Sequence, residues 1–251
     1  MPAEKKVLAF DIYGTLLDTG AIAQAIQKYV KEIEAADQAK ALAASWRTYQ
    51  LEYTWRLNSM DLYEPFDVVT RKSLLNAAAD ANIQLTAPTL GLLMQAYHEL
   101  PSFADAASSI RSLLSRGDVD VVLFSNGASA TSMLSAHTGA DAIMVAKSIT
   151  AAALPITLSR YLANSAKKYK PCREIYHGLV QFLGVQDRVQ DVWLVSGNPF
   201  DVAGARAFGL NAIWVDRAGK GWNDRLLDIG PSRVVGSVEE IARLEAWKTE
   251  A

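Results

Sequence analysis

One acidic residue stands where a predicted strand ends. Asp11 directly follows residues 7–10, a short apolar run without a helical period, which is typical of a strand buried on both faces of a parallel sheet. Gly14 and Thr15 come soon after it. In open α/β sheets the reacting groups lie just beyond the carboxyl ends of the strands, so this carboxylate is placed where chemistry can take place. Aspartate and glycine also form ordinary turns at strand ends, and a turn is therefore the alternative.

Two more polar clusters follow predicted strands further along the chain. Ser125 and Asn126 come after the apolar run 119–124, and residues 196–201 (Ser-Gly-Asn-Pro-Phe-Asp) come after the run 192–195. Each cluster is a weak signal by itself, because Ser-Asn-Gly is a common turn and Asp201 can cap the next helix. Three such clusters at strand ends of one sheet are less readily explained as turns. Together they would surround a single crevice.

The order of the predicted elements indicates an α/β fold. From residue 101 onward strands and helices alternate, which implies right-handed crossovers and a Rossmann-like parallel sheet with helices on both faces. Strands are predicted at 7–10, 119–124, 142–145, 192–195 and 212–215. Helices are predicted at 104–114, 129–137, 173–183, between 201 and 212, and at 239–247.

Residues 19–100 have helix-forming composition and no strand signal, with predicted helices at 21–35, 39–57, 64–81 and 89–100. A helical insertion directly after the first strand is expected to form a cap domain over the strand ends. We therefore expect a core domain of residues 1–18 and 101–251 and a helical cap domain of residues 19–100. The Ala-rich stretch 148–168 has three possible interpretations: a short helix, a lid or an interface element.

Composition and charge restrict the class of protein. Half of the 251 residues are hydrophobic, and the net charge of -2 gives no reason to expect nucleic acid or an anionic membrane as a partner. The single cysteine, Cys172, fits a reducing compartment, and neither a signal peptide nor a membrane span is visible, so a cytoplasmic protein is expected. The three histidines lie outside the polar clusters and no Gly-x-Ser-x-Gly motif occurs, which argues against a Ser-His-Asp hydrolase.

The motifs together resemble a known family. Asp-x-Tyr-Gly-Thr-Leu from Asp11, Ser-Asn-Gly from Ser125, Lys170-Pro171 and Val-Ser-x-Asn-x-Phe-Asp ending at Asp201 resemble the haloacid dehalogenase superfamily. The predicted cap carries Trp-Arg-Thr-Tyr-Gln-Leu-Glu-Tyr-Thr-Trp at 46–55 and Tyr-Glu-Pro-Phe at 63–66, which resemble the L-2-haloacid dehalogenase subfamily. The resemblance covers nearly the whole chain, although 148–168 is longer than the loop expected there.

This resemblance implies hydrolytic dehalogenation of a small (S)-2-haloacid to an (R)-2-hydroxyacid in a homodimer. Phosphatases of the superfamily hold Mg²⁺ with acidic oxygens, but Tyr13 stands two positions after Asp11, and Asn198 stands in the later acidic loop. We therefore expect neither a metal nor another cofactor. The alternatives are a phosphohydrolase with an altered Mg²⁺ site and a non-catalytic binding protein with the same fold.

The resemblance also implies the role of each residue. Asp11 would displace halide from C2 and form an ester that water hydrolyses at the Asp11 carbonyl. Lys170 would keep Asp11 ionised, and Ser125 would bind the substrate carboxylate. A halide cradle is expected from Arg47, Asn126 and Phe200, and Arg47 could instead help to hold the substrate carboxylate. The alternatives are an exposed helix charge for Arg47 and core packing for Phe200.

The remaining implied site residues support these. Thr15 and Ser196 would hold the geometry of Asp11 and Lys170, while Asn198 and Asp201 would position and activate the water. The expected pocket lining comprises Ile12, Tyr13, Leu51, Phe66 and Tyr176.

Overall fold

The computed structural model describes residues 5–127, 158–245 and 247. They contain one six-stranded parallel sheet with the order β3-β2-β1-β4-β5-β6. The strands are β1 Lys6–Phe10, β2 Val119–Ser125, β3 Ser159–Leu162, β4 Val192–Ser196, β5 Asn211–Val215 and β6 Arg233–Val235. The predicted α/β class with a parallel sheet is confirmed.

The α-helices of the described residues precede, separate and follow these strands. They are α1 Ile22–Tyr29, α2 Ala36–Ser59, α3 Phe66–Asp80, α4 Ala87–His98, α5 Ala106–Leu114, α6 Ala163–Ala166, α7 Arg173–Leu183, α8 Pro199–Phe208 and α9 Val238–Ala242. None of these helices is both long and apolar enough to cross a membrane.

The central strand β1 sets the position of the crevice. Four successive residues of β1, Val7 to Phe10, are buried, and because neighbouring side chains point to opposite faces, both faces of the strand are covered. β1 pairs with β2 on one side and with β4 on the other. The chain reverses its direction of winding at β1, so the carboxyl ends of these three strands border one crevice.

The helices α1 to α4 form the layer inserted after β1. The 24-residue helix α2 packs on α3 and α1, and the buried Trp46 indole donates a 2.8 Å hydrogen bond to the carbonyl of Thr70. The two segments that connect this layer to the sheet lie side by side, because the Asp18 amide donates to the Pro101 carbonyl at 2.9 Å. The expected cap is present, and the domain limits at 18/19 and 100/101 stay predictions.

A second connection joins the cap to the segment that carries Lys170. Asn58, near the end of α2, donates from Nδ2 to the Tyr169 carbonyl at 2.6 Å and accepts the Tyr169 amide N–H at 2.9 Å. Next to this pair, Lys168 forms an ion pair with Asp61. The Tyr169 hydroxyl donates to the carbonyl of Glu64 at 2.5 Å. Cap and core therefore meet at the residue before Lys170.

Several predicted elements differ from the observed ones. The helix predicted at 21–35 ends at Tyr29, because the β-branched Val30 adopts an extended conformation and is buried together with Ile33. The helix predicted at 239–247 ends at Ala242. After it, the amide groups of Arg243 and Leu244 donate to carbonyls three residues earlier, as in a 3₁₀ turn, and not four residues earlier. The strand β6 was not predicted because it has only three residues.

In the stretch 148–168, the described residues form the strand β3 and the short helix α6. Strand β3 gives a weak sequence signal because it is partly exposed at the sheet edge. The predicted helix 129–137 and strand 142–145 lie outside the described residues. The other predicted helices and strands agree with the observed ones to within a few residues.

Replacing Asn58 by alanine tests the connection between α2 and Tyr169. The substitution removes the Asn58 oxygen from the amide of the buried Tyr169 and one of two donors from its carbonyl, which still accepts the Cys172 amide at 3.0 Å. We expect a loss of about 1–3 kcal/mol in the free energy of unfolding. Asn58→Asp keeps an acceptor and should lose less. Thermal denaturation measures the change, with Asn223→Ala in an exposed loop as control. An equal effect of Asn58→Ala and Asn223→Ala would contradict this account.

Candidate active site

Asp11 is held by four side chains at the carboxyl end of β1. Its Oδ2 atom accepts hydrogen bonds from Thr15 Oγ1 at 2.7 Å, from Asn198 Nδ2 at 2.7 Å and from Ser196 Oγ at 3.4 Å. Its Oδ1 atom accepts one from Lys170 Nζ at 3.2 Å. Asp11 itself is only 6% exposed. The carboxylate is therefore fixed mainly through one oxygen, while among the described residues only Lys170 donates to the other.

Two glycines allow the loops after β1 and β4 to touch. A Cβ atom on Gly197 would lie 2.5 Å from the carbonyl oxygen of Gly14, which itself has a positive φ of 83°. The Gly197 amide donates to Thr15 Oγ1 at 2.8 Å, so the hydroxyl proton of Thr15 points to Asp11. This close approach brings Asn198 within reach of Asp11.

Lys170 is buried between two carboxylates. Its ammonium group is 1% exposed and donates to Asp11 Oδ1 at 3.2 Å, Asp201 Oδ2 at 2.7 Å and the Phe124 carbonyl at 2.7 Å. Its backbone amide donates to Asn126 Oδ1 at 2.8 Å. All three ammonium protons therefore have an acceptor, as a buried charge requires.

Asp201 lies behind Lys170 at the first turn of α8. Its Oδ2 atom accepts from Lys170 and its Oδ1 atom accepts from the Tyr176 hydroxyl at 2.8 Å, and the side chain is fully buried. Burial raises the pKa of Asp201 to about 6, against the opposing effect of Lys170. Burial also raises the pKa of Tyr176 well above its ordinary value, which keeps its hydroxyl a donor.

This position differs from the one expected for Asp201. An acid that activates water must reach that water, whereas the described contacts of this carboxylate are with buried side chains. The geometry favours a role through Lys170, and contact with the water stays a prediction. Tyr176, expected to line the pocket, lies beside Asp201 and packs edge-on against Phe124 at 5.6 Å.

Arg47 reaches the site from the cap. Its Nη2 atom donates to Asn198 Oδ1 at 3.2 Å and its Nη1 atom donates to Gln50 Oε1 at 2.7 Å. Asn198 therefore bridges the two parts of the site, since its Nδ2 atom donates to Asp11 and its oxygen accepts from Arg47. The guanidinium group and the carboxylate are linked through one amide.

The aromatic residues expected near the pocket fall into two groups. Tyr13 is buried between Phe66 and Tyr97, with ring centroids 5.4 and 5.7 Å away. Phe200, at the start of α8, is half-buried and meets the exposed ring of Trp55 edge-on at 5.5 Å. Phe200 thus bridges core and cap at the mouth of the crevice.

The remaining expected residues lie on or next to the strands and helices already described. Ser125 is buried, and its hydroxyl accepts the Gly127 amide at 3.1 Å. Ile12 is fully buried, and its carbonyl accepts amides of the turn that contains Thr15. Leu51 is half-buried on α2. The residues joined by side-chain hydrogen bonds are Asp11, Thr15, Arg47, Lys170, Tyr176, Ser196, Asn198 and Asp201.

Several polar residues of the site were not predicted. Gln50 accepts from Arg47 and from the Tyr97 hydroxyl, and Asn58 holds the residue before Lys170. Gln50 gives a visible signal, because it lies three residues after Arg47 and therefore on the same face of the helix. Tyr97 gives none, since an aromatic residue in an amphipathic helix is normally part of the core.

The donor set around Asp11 does not suit Mg²⁺, which prefers several oxygen ligands. Asp11 and Asp201 are separated by the ammonium of Lys170, and the oxygen of Asn198 faces Arg47. Within 5–127, 158–245 and 247, no group of three His, Cys, Asp or Glu side chains could hold a metal ion.

Comparison with known proteins agrees with this fold. The family model of the haloacid dehalogenase-like hydrolases matches residues 5–209, and the chain belongs to this family. It is 33% identical over 215 residues to (S)-2-haloacid dehalogenase 4A of Burkholderia cepacia, covering 85% of this chain and 84% of that protein.

Two further comparisons agree. The chain is 31% identical over 217 residues to (S)-2-haloacid dehalogenase of Pseudomonas sp. strain YL, covering 85% of this chain and 84% of the relative. A crystal structure of a dehalogenase superposes with a TM-score of 0.80 at 30% identity, covering 99% of this chain and all of the other.

The buried position of Asp201 makes the stability of the protein depend on pH. A folded-state pKa of about 6, above the ordinary aspartate value of 3.8, means that the folded state takes up the proton first as the pH falls. Asp201 therefore costs stability at pH 7, and this cost disappears between about pH 6 and pH 4.

We compare the free energy of unfolding of the wild type with that of Asp201→Asn. As the pH is lowered from 7 to 4.5, we expect the difference, wild type minus variant, to become more positive by roughly 2 kcal/mol. Urea denaturation at several pH values measures the difference between the two proteins, with Asp187→Asn at an exposed position as control. A difference that changes in the opposite direction would contradict the burial argument.

Proposed function

We propose that this protein is a metal-independent (S)-2-haloacid dehalogenase that works through an ester of Asp11. The observation that carries the proposal is the arrangement of Asp11: a carboxylate at a strand end with Lys170 beside it and Arg47 linked to it through Asn198. The relatives of this chain named above are (S)-2-haloacid dehalogenases, which supports this choice of substrate class.

The first step is a displacement at carbon. Asp11 Oδ1 attacks C2 of the haloacid in line, the bond between C2 and the halogen breaks, and the halide leaves with the bonding electron pair. Configuration at C2 is inverted, and an ester joins C2 to Oδ1. Thr15, Ser196 and Asn198 hold the other oxygen, so the attacking atom keeps a fixed direction.

The second step is hydrolysis of this ester. Water attacks the carboxyl carbon of Asp11, and the bond between that carbon and Oδ1 breaks, so Oδ1 leaves with the product as its hydroxyl oxygen. Lys170 faces Oδ1 at 3.2 Å and gives it a proton, which the attacking water then returns. The other proton of the water is released to solvent in this step, so the overall products are the hydroxyacid, the halide that left in the first step and one proton. Asp201 and Tyr176 keep Lys170 in place for this exchange.

Substrate binding is assigned to groups around the crevice. Arg47, Asn126 and Phe200 receive the halide, and Ser125 binds the substrate carboxylate. Apolar parts of the substrate meet Tyr13, Leu51 and Phe66, with Ile12 beneath them. The homodimer implied by the resemblance and the cytoplasmic location expected from the sequence stay predictions.

Halide release from the two enantiomers of 2-chloropropionate tests the proposed function. We expect chloride release from the (S) form in excess EDTA and none from the (R) form, since the in-line displacement admits one face of C2 and needs no metal. Ion chromatography of chloride and chiral analysis of the lactate formed measure both. Mg²⁺-dependent phosphate release without dechlorination would favour a phosphohydrolase, and a folded protein without turnover of either kind would favour a binding protein.

Isotope labelling tests the ester intermediate. In a single turnover in H₂¹⁸O we expect the label in the carboxylate of Asp11 and not in the hydroxyacid, because water attacks the ester carbonyl. Mass spectrometry of the peptide containing Asp11 measures it. Asp11→Ala should lose at least about 1,000-fold in kcat, whereas Asp187→Ala at an exposed position should not. Label that enters the hydroxyacid directly would contradict the ester.

A further inference from the structure

Gln50 is a fully buried amide on α2 whose orientation is fixed by its three hydrogen bonds. Its Oε1 atom accepts from Arg47 Nη1 at 2.7 Å and from the Tyr97 hydroxyl at 2.9 Å. Its Nε2 atom donates to Thr70 Oγ1 at 2.7 Å, and Thr70 donates in turn to the Phe66 carbonyl at 2.6 Å. Arginine has no acceptor, so the amide oxygen must face the guanidinium group.

Arg47 is therefore oriented by neutral groups. Both side-chain acceptors that the described residues supply to it, Gln50 Oε1 and Asn198 Oδ1, are amide oxygens. A carboxylate in either place would form a charge-assisted bond and compensate the positive charge. An amide oxygen fixes the direction of the guanidinium group and leaves its charge available for an anion in the crevice.

We propose that Gln50 is a positioning residue that sets anion affinity, because its neutral oxygen holds Arg47 toward the crevice without neutralising it. The inference deepens the proposed function and rests on it for the identity of the anion, which is the halide being displaced or the carboxylate of the haloacid. A buried glutamine that serves only the packing of the cap would show no such dependence on charge.

Gln50→Glu is the direct test, since it changes one atom and adds one negative charge 2.7 Å from the guanidinium group. We expect the KM for (S)-2-chloropropionate and the Kd for bromide and for propionate to rise about tenfold or more, with a smaller change in kcat. Gln24→Glu adds the same charge at an exposed position of α1 and should stay within about twofold of the wild type.

Gln50→Met provides a second variant, because it is close in size to glutamine, has no charge and lacks the acceptor. We expect kcat/KM to fall about tenfold, because Arg47 loses the acceptor that directs it, and the Kd for bromide to rise about threefold, less than in Gln50→Glu, because no negative charge is added. If Gln50→Glu does not fold, as judged by thermal denaturation, the comparison of Gln50→Met with the wild type decides. A rise of about tenfold or more in the bromide Kd of a folded Gln50→Met protein would overturn the role assigned to charge.

The outcomes separate this inference from the proposed function. Bromide and propionate binding needs no turnover, so a wild type that binds both but releases no chloride from either enantiomer would refute the dehalogenase alone. A wild type that dehalogenates, together with a Gln50→Glu protein of unchanged KM and bromide Kd, would refute the role of Gln50 alone.

Discussion

The structure depends on one buried ammonium group. Lys170 lies between the carboxylates of Asp11 and Asp201, and removal of three charges from water has a free-energy cost that only close pairing and complete hydrogen bonding can offset. The chain meets this requirement with contributions from separate elements: β1 carries Asp11, β2 supplies the Phe124 carbonyl, and α8 carries Asp201. The parallel sheet matters for function because it brings these chain segments to one point.

The two carboxylates paired with Lys170 have different surroundings, so their oxygens differ in how freely they can accept a further contact. Both oxygens of Asp201 are occupied by buried donors, whereas Asp11 Oδ1 accepts only from Lys170 among the described residues. Burial sets the pKa of Asp201 near 6, so this carboxylate takes up a proton within the range in which many enzymes are assayed. Two chemically identical groups thus differ in how many of their oxygens are occupied, and their position in the fold sets this difference.

The sequence allows a prediction of which residues meet where this depends on the order of the strands. It does not allow one where the outcome depends on the direction in which a side chain points. That Asp11 and the residues after β4 would meet was predictable, because parallel strands end at a common edge. The position of Asp201 behind Lys170 was not, since a helix turn presents a side chain either to the crevice or to the interior with the same sequence pattern. Strands β3 and β6 were missed because an edge strand of three or four residues gives almost no periodic signal.

Asn58 pairs with both backbone groups of Tyr169 in the way a neighbouring β-strand would. The end of the longest cap helix thereby extends the hydrogen bonding of the core by one residue, directly before Lys170. An engineer who transplants a cap from a relative onto this core consequently moves part of the lysine's support with it. A chimera has to retain an asparagine at this place, however well the rest of the transplanted surface fits.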